Sequence, residues 1–451
     1  MGERLGRADA YAVGRSFATR VRRAGGGRVA VGRDGRLSSP ELEAALVEGL
    51  TGGGVDVVRV GLGPTPMLYF AEATLDVDGG VQVTGSHNPA HHNGFKLMLG
   101  RRSFYGSDIR DLARLAAAGD WESGSGAVEE VSVLDRYVAR LVQGHLAPPL
   151  RVGWDTGNGA AGPAVERLAA LLPGEHHLIH TAVDGRFPNH HPDPSVDANL
   201  SDLARLVLDR GLDCGFAFDG DGDRIGAVDG RGRVVRADQL LALLAEPVLR
   251  DRPGATIIAD VKSSAALVDR VRDLGGRALI WKSGHSSIKS KMLDERAEIA
   301  GELSGHIFFA HRWYGFDDAQ YAAVRLLEAV AEAGRSLAEL VDALPAYRAT
   351  PELRFPVDPA RRLAVVDEVL ERLEARGVAV DRVDGARVTA PDGWWLLRAS
   401  NTESLLVVRA EARDDAALAR LLGQVDAELA RSGVARPSID TGPDRITLGS
   451  S

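Results

Sequence analysis

The chain has 451 residues, of which 45 % are hydrophobic and 26 % charged, and its formal net charge is -9. That length fits about three or four domains of ~100–150 residues, and the lack of a Lys/Arg-rich block excludes a nucleic-acid surface. A single cysteine excludes an intrachain disulfide; Cys214, within the apolar run "CGFAF", reads as a small core residue rather than a nucleophile.

The N-terminal stretch "MGERLGRADAYAVGRSFATRVRR" holds no apolar segment of a secretory signal, so none is expected. Residues 28–61, "RVAVGRDGRLSSPELEAALVEGLTGGGVDVVRVG", read as strand, turn, helix and strand. Ser39 before Pro40 predicts an N-cap followed by proline at the first helical position. Further on, the alternation of Val81 and Val83 ends in TGSHNP, residues 84–89, with Ser86 at the turn and His87 beside it. These are ordinary loop formers, so the stretch alone is compatible with a simple turn. Lys96 follows shortly in "HNGFKLM". The strand–turn–helix pattern recurs in "RVGWDTGNGAAGPAVERLAALL" and again in "TIIADVKSSAALVDRVRDLGGRALIW". The first strand of each copy ends at an aspartate: Asp34, Asp155 and Asp260, at domain-sized spacing. The most apolar window, "LLALLAEPVL", is short and holds Glu246 and Pro247, so no membrane span is expected.

Such units predict mostly parallel sheets, with ligand loops at the strand C-termini. TGSHNP, "FAFDGDGDRIG" and "ADVKSS" fall at that kind of position. Beyond about residue 348 the texture changes. "ATPELRFPVDP" reads as a Pro-containing linker, "RRLAVVDEVLERLEARG" as a helix, and "DRVDGARVTA", "GWWLLRAS" and "SLLVVRAEA" as three short strands. A last helix, "DDAALARLLGQVDAELARSG", and a loose tail, "RPSIDTGPDRITLGSS", complete the chain. The expected domains are 1-145, 146-250, 251-347 and 348-451: three similar α/β domains and a smaller α+β domain.

The sharpest chemical signal is "FAFDGDGDRIGAVDGRG". Asp219, Asp221 and Asp223 alternate with Gly220 and Gly222. Three carboxylates this close repel unless a cation lies among them, and the glycines let the backbone curl so that all three face one centre. Hard oxygen ligands suit Mg²⁺ with a phosphate oxygen as partner. An EF-hand would need Gly and Glu where Arg224 and Gly230 stand, so it is excluded. Arg224 beside this loop has the fork to hold a phosphate. In "GELSGHIFF", Glu302, Ser304 and His306 alternate with small and apolar residues, which suits sugar hydroxyls and equally a solvated strand end. His285 and Lys262 sit at loop positions of the same unit, where such residues are commonly just surface. In "RASNTESLLVVRAEA", Arg398, Ser400, Asn401, Thr402 and Arg409 have the composition of a phosphate nest or of a plain hairpin turn.

With these residues in view, the chain resembles the α-D-phosphohexomutase family of phosphomannomutases and phosphoglucomutases, from about residue 9 to the C-terminus. TGSHNP, DGDGDR, GELSGH and RASNTE match in the family's order, supported by "GRDGRLSS", "WDTGNGAAG", "DGRFPNHHPDPSVDANL", "DVKSS" and "RWYGFDD". The resemblance implies four domains around a central active-site cleft. It implies a catalytic Ser86, phosphorylated in the working enzyme, with Mg²⁺ held by Ser86, Asp219, Asp221 and Asp223, and a sugar bisphosphate as intermediate and activator. His87, Lys96 and Arg224 would assist transfer. Lys262, His285, Glu302, Ser304 and His306 would bind the sugar phosphate, and Arg398, Ser400, Asn401, Thr402 and Arg409 the phosphate that is not reacting. Two departures stand out. The chain starts after the short YDIRG-like strand with which members usually begin, and Ser404 replaces a common proline. Leu303, where the phosphoglucosamine branch typically has Gln, favours mannose and glucose phosphates. The expectation is a cytoplasmic isomerase, monomer or homodimer, with sugar phosphates as partners and neither nucleic acid nor membrane. The rivals are a phosphoglucosamine mutase, a Ser86-dependent sugar-phosphate phosphatase and a non-catalytic binder.

Overall fold

The computed structural model describes residues 5–144, 149–400 and 404–436. The chain divides into one unit up to Leu344 and a second from Pro345. The first unit opens with α1 (Arg7–Arg23), β1 (Arg28–Arg33), α2 (Ser39–Gly52), β2 (Asp56–Leu62), α3 (Thr65–Thr74), β3 (Gly79–Val83), β4 (Phe95–Leu99), β5 (Arg102–Ser103), α4 (Ser107–Ala118), β6 (Val128–Glu130) and α5 (Leu134–Val142). A second repeat comprises β7 (Leu150–Asp155), α6 (Gly162–Leu171), β8 (Gly174–Ile179), α7 (Ser201–Arg210), β9 (Cys214–Phe218), β10 (Ile225–Asp229), β11 (Val234–Val235) and α8 (Ala237–Asp251). The third comprises β12 (Thr256–Asp260), α9 (Ala265–Asp273), β13 (Arg277–Trp281), α10 (His285–Glu295), β14 (Ile299–Gly301), β15 (Ile307–Phe309), β16 (Phe316–Asp317), α11 (Ala319–Ala333) and α12 (Leu337–Asp342).

Each repeat has the same four-strand heart. Its first strand lies between the second and third, parallel to both: β1 between β2 and β3, β7 between β8 and β9, β12 between β13 and β14. The third strand then turns back through a loop into an antiparallel neighbour: β3 into β4, β9 into β10, β14 into β15. The expected parallel core is present, and each sheet adds this antiparallel edge. The loops bearing TGSHNP, DGDGDR and GELSGH are therefore equivalent turns of three equivalent repeats. One hydrophobic cluster runs through all three, from Phe70 and Tyr137 through Trp154 and Phe216 to Ile257, Phe309 and Tyr321. Cys214 starts β9 and is buried, and burial pushes its thiol pKa up, so it is an inert core residue. No helix among the described residues is long and apolar enough to cross a membrane.

The marker aspartates explain how the repeats set their loops. Asp34, buried just after β1, accepts from Thr84 Oγ1 at 2.9 Å and from the Gly85 N–H, fixing the start of TGSHNP. Asp260 accepts from Ser263 and Ser283. Ser39 differs from expectation: it is the first residue of α2, and its hydroxyl donates to Asp34 Oδ1 instead of capping the helix.

The second unit is a six-stranded antiparallel sheet. Its elements are β17 (Arg348–Ala349), β18 (Leu353–Pro356), α13 (Arg362–Ala375), β19 (Val380–Asp381), β20 (Ala386–Ala390), β21 (Gly393–Ala399), β22 (Leu405–Ala412) and α14 (Asp415–Arg431). The stretch read as a linker contributes two edge strands, because Leu353–Pro356 pairs with Leu405–Val408. Pro356 is tolerated there because it ends an edge strand. Trp395, Leu397, Leu406, Val408 and Ala410 pack with the apolar faces of α13 and α14. The register puts Leu396 opposite Arg409 and Arg398 opposite Val407. Residues opposite one another share a face, so Arg398 and Arg409 both lie on the face away from these helices. The tail from residue 437 lies outside the described residues.

Candidate active site

Ser86 is the third residue of the turn after β3, with φ of 48°. A non-glycine residue there is uncommon and needs support from its surroundings. Arg36 supplies it. Its guanidinium is buried and donates to the carbonyls of Ser86 at 2.6 Å, Asn88 at 2.7 Å, Pro89 at 2.6 Å and His92 at 3.1 Å, while Nε bonds Asp34 at 3.1 Å. Phe187 of the second repeat lies under the guanidinium, 5.1 Å from its centre. The sequence had offered Arg36 only as part of "GRDGRLSS".

Ser86 Oγ donates to Asp219 Oδ2 at 2.6 Å. Asp219, Asp221 and Asp223 are fully buried, and one oxygen from each lies within 4.8 Å of the others. Gly220 passes so close to Ser86 that a Cβ would meet the Ser86 carbonyl oxygen at 2.4 Å, and Gly222 has φ of 70°. Asp219 Oδ1 accepts from the N–H groups of Asp223 and Arg224, closing the turn. Lys96 projects from β4 and its ammonium bonds Asp221 Oδ2 at 2.7 Å and also Asp223 Oδ2. Thr65, at the start of α3, donates to Asp221 Oδ2 as well.

Burial, reinforced by the charges of Asp221 and Asp223, pushes the Asp219 pKa well above the usual carboxylate range. Burial acts the same way on Asp223, but Lys96 and His306 outweigh it and hold Asp223 well below that range. Burial would lower Lys96, and the aspartates raise it well above its ordinary value. Asp221 Oδ1 is buried with no hydrogen-bond partner. An unpartnered buried carboxylate oxygen beside two further carboxylates and a hydroxyl fits a small hard cation, so the donor set suits Mg²⁺.

The third repeat contributes His306. Its Nε2 lies 3.2 Å from Asp223 Oδ1 and its Nδ1 3.0 Å from Glu302 Oε2. Burial alone would depress this imidazole, and the two carboxylates carry it up to about 9. Glu302 shows the converse: His306 and the Gly284 N–H bring it down to about 2 against the effect of burial. Ser304 Oγ lies 3.1 Å from His306 Nδ1. His285, the first residue of α10, stacks on His306 with centroids 5.6 Å apart. Arg224 Nε lies 3.4 Å from His306 Nε2. Lys262 is the second residue beyond β12. So Ser86, Lys96, Asp219, Asp221, Asp223, Arg224, Glu302, Ser304, His306 and His285 form one connected network across three repeats. His87 points a different way: its Nδ1 meets Asp193 Oδ2 at 3.0 Å. Asp193 also accepts from the Ser195 hydroxyl and N–H. Burial would raise Asp193, but bonds from His87 and Ser195 hold it below its ordinary value.

In the second unit, Arg398 is paired with Asp384 at 3.1 Å, and the Ser400 N–H donates to the Leu405 carbonyl at 3.0 Å. Asn401 and Thr402 lie outside the described residues. The sequence reading gave no individual role to Arg36, Thr65, Asp193 or Lys289. Lys289 is buried 3.0 Å from Asp317, with its ammonium 3.9 Å from the centre of the Tyr69 ring.

A serine hydroxyl held at a buried three-carboxylate cluster, with lysine and imidazolium charge at hand, is the equipment of a phosphoryl-transfer enzyme. Comparisons with known proteins narrow that class. Residues 1–116, 135–232 and 236–347 match alpha/beta/alpha domains I, II and III of phosphoglucomutase/phosphomannomutase, and residues 352–428 match its C-terminal domain. A phosphomannomutase/phosphoglucomutase of Pseudomonas putida is 43 % identical over 422 residues, covering 93 % of this chain and 91 % of its own. A phosphoglucomutase of Neisseria gonorrhoeae is 42 % identical over 427 residues, covering 93 % and 92 %. A solved phosphoglucomutase/phosphomannomutase family protein from Burkholderia thailandensis aligns with TM-score 0.91 and 43 % identity, over 96 % of this chain and 95 % of that one. The chain belongs to the phosphoglucomutase/phosphomannomutase family, and it is a phosphohexomutase, an isomerase of hexose phosphates.

Proposed function

We propose that Ser86 carries the phosphoryl group in the interconversion of hexose 1-phosphate and hexose 6-phosphate, with mannose and glucose phosphates as substrates. The observation that supports this reading most directly is the 2.6 Å bond from Ser86 Oγ to Asp219 Oδ2 at the three-carboxylate cluster. Phospho-Ser86 passes its phosphoryl group to the free hydroxyl of the sugar phosphate, and the sugar bisphosphate so formed reorients. Its other phosphoryl group then returns to Ser86, leaving the isomeric monophosphate. Mg²⁺, held by Asp219, Asp221, Asp223 and the phosphoserine, would neutralise charge on the transferring group.

The chain's own residues do the rest. Lys96 and Arg224 balance phosphoryl charge, and His87 exchanges a proton with the reacting oxygens. Glu302 and Ser304 bind sugar hydroxyls, with His306, His285 and Lys262 completing that wall. Arg398, Ser400, Asn401, Thr402 and Arg409 hold the phosphate that is not reacting. Added sugar bisphosphate acts as activator by rephosphorylating Ser86. The reaction fits a cytoplasmic enzyme working as monomer or homodimer.

A Mg²⁺-dependent coupled assay of glucose 1-phosphate, mannose 1-phosphate and glucosamine 1-phosphate, primed with trace bisphosphate, tests this. Turnover of the first two and little of the third is expected. Preference for glucosamine 1-phosphate would overturn the substrate assignment, and release of inorganic phosphate in place of isomer would make the protein a phosphatase.

A further inference from the structure

Away from Ser86, Asp155, His180 and His190 bring one carboxylate oxygen and two imidazole nitrogens within 4.8 Å of one another. None has a part in the transfer proposed above. Asp155 ends β7 and is fully buried; its Oδ1 accepts from the Gly157 N–H at 2.9 Å, and its Oδ2 faces His190 Nε2 at 2.8 Å. His190 Nδ1 lies 3.0 Å from the His191 carbonyl oxygen. A carbonyl can only accept, so Nδ1 carries the proton and the lone pair of the neutral ring is on Nε2. Two acceptors 2.8 Å apart need a proton or a cation between them. A backbone carbonyl on the far ring nitrogen is also the usual outer partner of a metal-bound histidine.

His180 lies just beyond β8, and its ring meets that of His190 edge-to-face with centroids 5.4 Å apart. Its Nε2 lies 3.3 Å from Asp202 Oδ2, in the first turn of α7. Asp202 is thus a partner of His180 and stands outside the group of three. Two imidazoles with one carboxylate form a mixed nitrogen–oxygen set, which favours a transition ion over Mg²⁺, with water able to complete four-coordination. The all-oxygen cluster at Asp219–Asp223 has the opposite preference.

We propose that Asp155, His180 and His190 form a site for a divalent transition metal of the zinc class, with Asp202 bracing His180. The ion fastens the connection between β8 and α7 to the end of β7. That connection carries Asp193, the partner of His87, so the site holds the second repeat's contribution to the Ser86 loop in place.

The test uses the full chain, stripped of metal by a chelator and kept in excess Mg²⁺ to occupy the aspartate cluster. Zn²⁺ alone is titrated by calorimetry, and Co²⁺ is added separately as a spectroscopic probe. One equivalent of Zn²⁺ bound despite Mg²⁺, with the strong visible absorption of four-coordinate Co²⁺, is expected. His180→Gln and His190→Gln should each weaken Zn²⁺ by at least the roughly 10–100-fold cost of losing an outer-shell partner. The His190 variant also loses its bond to Asp155; should it fail to fold, the partly exposed His180 decides alone. No Zn²⁺ retained against Mg²⁺, or a His180→Gln protein that binds Zn²⁺ like the wild type, would overturn the site.

Discussion

Ser86 and Asp219 meet at 2.6 Å, so that the turn after β3 and the equivalent turn after β9 share one hydrogen bond. Replacing Ser86 with Ala removes the phosphoryl carrier and only one hydrogen bond. Turnover should fall by roughly 10⁴–10⁶, the scale seen when a nucleophile is deleted, while the fold survives with a loss of about 1 kcal/mol. Coupled assays and thermal melts on the same preparation check both.

Asp221 Oδ1 has no hydrogen-bond partner in its buried setting, so Mg²⁺ should stabilise the protein by mass action. At 100 times its dissociation constant the gain is about 2.7 kcal/mol. Thermal midpoints measured across a Mg²⁺ titration should rise for the wild type and stay nearly flat for Asp221→Asn. Equal responses would show that the ion binds elsewhere.

Asp193 holds His87 Nδ1 at 3.0 Å. Loss of this partner frees the imidazole to rotate. Asp193→Ala should lower kcat roughly tenfold to a hundredfold, a share of the ~10²–10⁴ that positioned proton transfer supplies, with little change in KM. An unchanged kcat would remove His87 from the chemistry.

Arg36 collects four carbonyls of the Ser86 loop with one buried guanidinium. Arg36→Ala leaves those oxygens and Asp34 without their cation and should cost about 3–5 kcal/mol, as for breaking a buried ion pair. Arg36→Lys restores the charge without the planar fork. Chemical denaturation should show partial recovery of stability in the Lys variant, with turnover still depressed because the loop has lost its shape.

Burial pushes Asp318 up to about 8, against hydrogen bonds from the Tyr321 N–H and the Tyr137 hydroxyl. The folded chain therefore binds this proton more tightly than the unfolded chain does. Its contribution to stability is complete below the ordinary carboxyl value of about 4 and is lost as pH rises from there through 8. Asp318→Asn keeps an acceptor for Tyr321 and removes the titration, so its melting temperature should decline less than that of the wild type between these limits.

Much of the site was legible because its chemistry is concentrated in short turns. Three aspartates interleaved with glycines advertise a charge problem without any structure. The threefold order was legible because each first strand ends in an aspartate, and Asp34 shows why: one carboxylate ties the following turn to the loop of the third strand. Contacts between repeats left no local trace. Phe187 under Arg36 and Asp193 against His87 join segments far apart in sequence, and neither residue is unusual in its own stretch. Residues 353–356 were misread because proline signals a break, whereas at a sheet edge it merely ends the pairing. Ser39 was misread by one position because Asp34 competes for its hydroxyl.

The central claim is that Ser86 gives its phosphoryl group to the sugar phosphate and takes back the other. The most direct measurement is to load the protein with radiolabelled phosphate from a labelled sugar bisphosphate, map the label by peptide mass, and chase with unlabelled glucose 6-phosphate in Mg²⁺. Label on the peptide containing Ser86, moving into sugar bisphosphate and then into glucose 1-phosphate, is the result this account predicts. Label on another residue, or label leaving Ser86 as inorganic phosphate while no isomer forms, would contradict it.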